Sequence, residues 1–183
     1  ALEMLAERIL AAEHPVILAG HELSSRDALQ EASQIAELLG VPVYQQTVPY
    51  TAQYFSEQAT FMGALSRSQQ QVRSILEPHD LLICLGADVL RMGVWNPLEP
   101  LPDGMPVVQI GERDWELGKN YPAEIAIKAD IKETLRALLP VLRVRCSSEK
   151  KAENEHRLNE LKTRNWAAMR EKLREVTRKM AHR

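Results

Sequence analysis

The sequence predicts an α/β fold: a Rossmann-like three-layer domain with a parallel sheet flanked by helices, plus a C-terminal long helix. Three observations carry that expectation. Apolar runs without polar alternation, such as Val16-Ile17-Leu18-Ala19 and Leu81-Leu82-Ile83-Cys84-Leu85, stop at glycines. Such runs suit parallel strands buried on both faces. Helical patterns alternate with them, as in a sheet covered on both sides. The final forty residues are charged, with one apolar seam.

The elements follow in order. Residues 2–12 form an amphipathic pattern on Leu2, Leu5, Ala6, Ile9 and Leu10. Pro15 opens the first strand, which ends at Gly20. Ser24 or Ser25 is placed to cap the next helix through its hydroxyl. Leu29, Ala32, Ile35, Ala36, Leu38 and Leu39 form the inner stripe of that helix, and Gly40 ends it. Val41-Pro42-Val43-Tyr44 is a second strand, completing a βαβ unit. Residues 46–65, with Pro49, Tyr50, Tyr54, Phe61 and Gly63, read as a long irregular loop, often a functional feature. A helix over 66–77 and a strand over 80–85 ending at Gly86 come next. A proline-rich loop over 88–106 leads to a strand over 106–110, closed by Gly111. A further strand spans 123–129, and Asp130 is placed to cap a helix over 131–142. In the tail, Leu158, Leu161, Trp166, Met169, Leu173, Val176 and Met180 make one seam along a helix over 149–182. The two domains expected are residues 1–142 and a basic amphipathic linker helix, 143–183.

Composition narrows the function classes. The chain has 183 residues, 45% of them apolar, and a net charge of −2. That length holds one domain with a real core. Residues 1–142 carry 10 Lys/Arg against 19 Asp/Glu, and residues 143–183 carry 13 against 6. The basic tail contains interspersed acids rather than a solid basic block. It therefore reads as a solvated helix face, not as a nucleic-acid site. Cys84 and Cys146 form no metal-binding spacing and no disulfide framework, so a cytoplasmic setting is expected. No apolar run reaches membrane-spanning length. The first residue, Ala1, enters directly on a helical pattern, which suggests an excised piece. His14, His21, His79, His156 and His182 have no ligand-spaced partners, so neither a metal site nor a catalytic triad is expected.

Three stretches carry a family resemblance. They are His14-Pro15-Val16-Ile17-Leu18-Ala19-Gly20 with Leu39-Gly40-Val41-Pro42-Val43, and Asp80-Leu81-Leu82-Ile83-Cys84-Leu85-Gly86-Ala87. The third runs from Val108-Gln109-Ile110-Gly111 through Glu116-Leu117-Gly118-Lys119-Asn120-Tyr121-Pro122 to Ala129-Asp130-Ile131-Lys132-Glu133. In order and spacing, residues 1–142 resemble the central domain of thiamine-diphosphate-dependent enzymes. Gly86-Ala87-Asp88-Val89-Leu90-Arg91 with Trp95-Asn96-Pro97 looks nearest the benzoylformate decarboxylase branch, with acetolactate synthase a further relative.

The resemblance implies a parent with catalytic domains on either side that bind thiamine diphosphate and Mg2+ outside this segment. The parent would be a decarboxylase, lyase or synthase acting beside the carbonyl of a 2-keto acid, and a homo-oligomer. This segment would hold the domains together without catalysing anything. Some central domains of the family bind FAD or ADP. Carried over by position, the contacts would be Gly20, His21, Thr47, Gly63, Ala64, Gly86, Ala87, Asp88, Gly111, Glu112 and Asp130. Backbone N–H groups would hold the pyrophosphate, and Glu112 the ribose hydroxyls. The chain departs from that pattern at Gly20-His21-Glu22, where FAD binders resemble Gly-Gly-Gly. It departs again at Asp88, where they place arginine. Glu22 would repel a pyrophosphate, and no GxGxxG is present.

In the benzoylformate decarboxylase branch the loop 88–97 presents a histidine to the active site. Here Gly93 takes that position, so that proton-transfer chemistry does not carry over. Arg91, Met92 and Trp95 remain candidates to line a substrate channel, or the loop packs on a neighbouring domain. Two other readings stay open. One is a free-standing nucleotide-binding module resembling sirtuins or electron-transfer flavoproteins. The other is an interaction module whose tail helix pairs with a second copy as a coiled coil.

Overall fold

The computed structural model of the chain describes residues 1–47 and 51–181. Pro49 and Tyr50 of the long loop, and His182 of the tail, lie outside the described residues.

Helix α1 (Leu2–Ala11) leads into strand β1 (Pro15–Ala19). The short helix α2 (His21–Ser25), helix α3 (Leu29–Leu39) and strand β2 (Val43–Gln45) follow. Next come β3 (Phe61–Ala64), α4 (Gln69–Leu76), β4 (Leu81–Leu85), β5 (Val107–Gly111) and β6 (Ile125–Lys128). Helices α5 (Ile131–Arg145), α6 (Ser148–Arg164) and α7 (Trp166–Ala181) end the chain. The strands form one six-stranded sheet in the order β3-β2-β1-β4-β5-β6, with every pairing parallel. This is the doubly wound order, which reverses direction between β1 and β4.

Both faces of the central strands are buried, which explains the missing polar alternation. Ile17, Ala19, Ile83, Leu85, Val108 and Ile110 face one core with α1, α3 and α5. Val16, Leu18, Leu82, Cys84 and Val107 face the other, where α4 contributes Val72 and Leu76. Cys84 is fully enclosed, and burial pushes its thiol pKa up, so it behaves as a small apolar side chain.

Two sequence-predicted caps form as expected. Gly40 takes the left-handed conformation, φ 58°, that closes α3. Asp130 accepts the Glu133 N–H at 2.8 Å and starts α5. The serine cap does not form. Ser25 lies inside α2, where its hydroxyl donates to the Glu22 carbonyl. Helix α3 starts later, after Ala28, with no side-chain cap. The long loop also contains an element that the sequence reading missed. Its end, from Phe61 to Ala64, is the edge strand β3, with a register shift opposite Val43 and Tyr44. Helix α5 continues past 142 to Arg145.

The tail is two helices rather than one rod, and it folds back on the domain. Leu161 is buried against it, as is Asn154, whose amide donates to the Leu38 carbonyl at 3.1 Å. Asn165 breaks the rod. Its Nδ2 donates to the Ala59 carbonyl at 3.0 Å, while its Oδ1 accepts the Ala168 N–H at 2.9 Å and caps α7. Trp166 then packs over Gly63 and edge-on to Phe61, ring centroids 6.2 Å apart. Beyond it Leu173, Val176 and Met180 are exposed. The seam thus has a buried half on α6 and a bare half on α7.

Candidate functional site at the carboxyl ends of the strands

Ligands of doubly wound sheets sit outside the carboxyl ends of the strands, where the strand order reverses. Here that point lies between β1 and β4, at Gly20 and Gly86. The two strand ends are pressed together. A Cβ on Gly20 would meet the Gly86 carbonyl oxygen at 2.1 Å and the Ala87 Cα at 2.3 Å. Glycine is required there by backbone contact within the protein.

Glu22 fills the adjoining space. It is 4% exposed, and a Cβ on Gly86 would meet its Cβ at 2.4 Å. Its carboxylate lies within 3.1 Å of where a Gly111 Cβ would stand, and accepts the Glu112 N–H at 3.0 Å. An acidic side chain therefore occupies the crevice and already receives a backbone donor. Two more donors at the strand ends are spent on the sheet: Gly20 N–H on Leu85 and Gly86 N–H on Ile110.

Gly20, His21, Gly86, Ala87, Asp88, Gly111 and Glu112 do converge on the ends of β1, β4 and β5. Several of them already have a task within the protein. Glu112 pairs with Arg26. Asp88 pairs with Arg91 and lies against Glu116, whose carboxyl is pushed above the usual range by burial and then by Asp88. The other candidates lie farther out. Thr47 follows β2 and donates its hydroxyl to the Arg91 carbonyl at 2.7 Å. Gly63 and Ala64 belong to the edge strand, with Gly63 (φ 116°) beneath Trp166. Asp130 is the α5 cap. Met92 packs partly against the second core, whereas Trp95 is 84% exposed.

Beside Glu22 a small cavity of about 100 Å3 is lined by His21, Gln46, Asp88, Arg91 and Arg113. His21 Nε2 and Gln46 Oε1 are buried there without a partner among the described residues. Burial, reinforced by Arg113, lowers the His21 pKa. At roughly 30 Å3 per molecule the space holds about three waters. Arg113, Gln46 and Glu116 escaped the sequence reading because none follows a strand-end glycine directly. Glu116 is brought in by the buried Gln109, whose amide holds the Glu116 carbonyl and the Gly118 N–H. Among the described residues, no group of three or more His, Cys, Asp or Glu could hold a metal ion.

Comparison with known proteins follows the same outline. The family model "Thiamine pyrophosphate enzyme, central domain" matches residues 2–138. Benzoylformate decarboxylase from Pseudomonas aeruginosa is 30% identical over 142 residues, 78% of this chain and 27% of the relative. Sulfoacetaldehyde acetyltransferase from Rhodobacter capsulatus is 26% identical over 179 residues, 91% of this chain and 28% of the relative. The X-ray structure of a thiamin diphosphate-dependent enzyme from Mycobacterium smegmatis superimposes with a TM-score of 0.71 at 28% identity, covering 77% of this chain and 27% of that one. The chain thus spans about a quarter of the length of the relatives it matches. By fold, by strand-end pattern and by these likenesses, the chain belongs to the thiamine pyrophosphate enzyme family as a central domain.

Proposed function

We propose that the chain is the structural middle of a thiamine-diphosphate-dependent, benzoylformate-decarboxylase-like enzyme, and that it makes and breaks no bond itself. The parent would be a carbon–carbon lyase or transferase acting on a 2-keto acid. Catalytic domains would lie on either side, with thiamine diphosphate and Mg2+ held outside this segment. The assembly would be a cytoplasmic homo-oligomer. No described helix is long and apolar enough to cross a membrane.

The observation that carries the reading is the Glu22 carboxylate in the strand-end crevice. The residues present do not fit the pyrophosphate of FAD or ADP laid across that point. The phosphates would meet a buried carboxylate with its backbone donor already used, a repulsive pairing in a low-dielectric setting. Two recesses at that end, of about 100 Å3 and about 180 Å3, both lined by Asp88 and Arg91, are each smaller than the ~300 Å3 of ordinary ligand pockets. Exposed apolar side chains at the same end support an inter-domain role. Val94 and Trp95 on the 88–106 loop are 80% and 84% exposed, and Trp115 is 66% exposed. Residues of that kind suit contact with a neighbouring domain. Arg91 and Met92 would sit on the margin of that contact.

Thermal melting tests the reading. A ligand selective for the folded chain must raise the midpoint. The expected result is no rise with FAD, ADP, or thiamine diphosphate plus Mg2+, and no turnover of benzoylformate by the chain alone. A rise of several degrees with FAD or ADP would instead establish the nucleotide-binding alternative.

A further inference from the structure

Another recess lies at the opposite end of the sheet. It is a half-open groove of about 500 Å3 beneath α6, at the amino ends of β1 and β4. We propose that this groove binds a small organic anion, a carboxylate or phosphate carried on a flat apolar body.

The floor supplies the apolar half. Pro15, Pro42, Pro78 and the buried Leu161 line it. A volume of this size falls in the range of small-molecule pockets.

The rim supplies polar and cationic side chains. His14, His79, His156, Arg157 and Arg164 line the groove against one carboxylate, Glu160. That carboxylate pairs with Arg164 at 3.1 Å. Arg157 is different. It is half-buried, and its guanidinium donates to the Glu13 carbonyl, the Leu39 carbonyl and the Asn154 amide oxygen. All three acceptors are uncharged. Its Nε–H is buried without a partner, and Arg157 makes no ion pair among the described residues. Glu153 and, more weakly, Asp80 act on it only through space; Glu153 pairs with Lys150 at 3.6 Å, and the Asp80 carboxylate is held by the Glu13 and His14 N–H groups. A partly desolvated cation with no counterion is costly, and an anion in the groove would offset that cost. This arrangement is separate from the strand-end crevice and does not depend on what the parent enzyme catalyses.

Imidazole NMR of the chain gives a direct test, because His14, His79 and His156 share the groove while His21 lies at the other end of the sheet. The probes are phenyl phosphate, benzoate, inorganic phosphate and benzyl alcohol. Saturable shifts of the three groove histidines with phenyl phosphate or benzoate, with His21 unmoved, are expected. Whichever of the two binds more tightly identifies the head group. Inorganic phosphate should bind more weakly, lacking the apolar body, and benzyl alcohol should cause no shift at matched concentration. Burial holds the His79 pKa low, and a bound anion beside it should draw that pKa up. The groups that act on its titration are His14, Arg164 and Asp80; His156, Arg157 and Glu160 line the same groove. His156→Glu, at an exposed position, should weaken binding about fivefold, the upper value for one exposed charge contact. Arg157→Gln should abolish it. If that variant unfolds, Arg164→Glu replaces it, with a loss of about fivefold or more. Shifts that begin at His21, benzyl alcohol binding as well as benzoate, an unchanged affinity in His156→Glu, or no saturable shift with any probe would each overturn the proposal.

Discussion

The two ends of the sheet are built on opposite plans. At the carboxyl ends, backbone meets backbone at Gly20 and Gly86, and Glu22 fills the remaining space. At the amino ends, a helix from the tail bridges the gap and leaves a groove beneath it. The first end is closed by the strand ends themselves and by the short helix α2 that follows β1. The second is closed by α6, held to α3 through Asn154 and Arg157. A doubly wound sheet thus does not by itself guarantee an open pocket at its switch point. Two or three side chains decide whether the crevice stays open, and the rest of the chain decides where another recess appears.

Glycine substitution separates the two plans most sharply. Gly20→Ala places a methyl against the Gly86 backbone at 2.1 Å, where neither strand can withdraw. A loss of about 3 kcal/mol or more, read from chemical denaturation, is expected. Gly40→Ala combines a strained φ with a clash at the Asn154 carbonyl oxygen, also 2.1 Å. There the helix can move away, so the expected loss is smaller, about 2 kcal/mol. Limited proteolysis should show faster cleavage across 148–181 in that variant alone. Equal losses with no change in cleavage would show that α6 is as integral as the strands.

Leu161→Ala and Leu173→Ala compare the two halves of the tail seam. Leu161 is 2% exposed and Leu173 is 68% exposed. The first should cost about 2–3 kcal/mol and the second under ~0.5 kcal/mol. A large effect at Leu173 in the isolated chain would reveal self-association through α7, which sedimentation at two concentrations would register.

Glu22→Ala comes next. It leaves the Glu112 N–H without its acceptor, at a cost of about 1–3 kcal/mol. It also vacates the crevice, so a rise in melting temperature with ADP should appear in this variant and not in the parent sequence.

The smallest effects are pH-dependent, and the two ends should give opposite signs. Glu116, at the carboxyl end, has its pKa raised by burial and Asp88. Its contribution favours the fold below the ordinary glutamate range and is withdrawn as pH rises through that range to the raised value. Glu116→Gln should therefore gain stability relative to the parent sequence as pH rises from the ordinary glutamate range through the raised value. Asp80, at the amino end, is raised by burial, but more strongly lowered by the Glu13 and His14 N–H groups. Its contribution is present above the ordinary aspartate range and is lost as pH falls through the lowered value. Asp80→Asn should be the less stable form at about pH 7 and should converge with the parent sequence in acid.

The sheet was legible because burial on both faces leaves an unmixed apolar run, as in Leu81–Leu85. The cap at Asp130 and the turn at Gly40 were legible because each depends on one residue and its immediate neighbours. Strand β3 was not, since Phe61–Ala64 is short, includes a glycine and pairs across a register shift. The break at Asn165 was equally hidden. Asparagine is tolerated on a charged helix, and its bond to the distant Ala59 carbonyl, beside the local cap on Ala168, makes it a stop. At the strand ends, the converging glycines could be read, but not their purpose. Whether glycine admits a ligand or another strand depends on contacts far apart in sequence, here Gly20 with Gly86. The identity of Glu22 hinted that a phosphate would be unwelcome. Its role as the filler became visible only with the Glu112 N–H beside it.

The Asn165–Trp166 junction makes α7 a lever with a defined fulcrum. At 1.5 Å per residue, its 16 residues extend about 24 Å. A rotation of about 5° at the fulcrum would therefore sweep the far end through roughly 2 Å. The fulcrum rests on β3 at Gly63, beneath Trp166, and on the turn before that strand at the Ala59 carbonyl. Small movements of that edge strand would thus be magnified at Ala181, and a force applied at Ala181 would be felt first by the outermost strand on that side of the sheet.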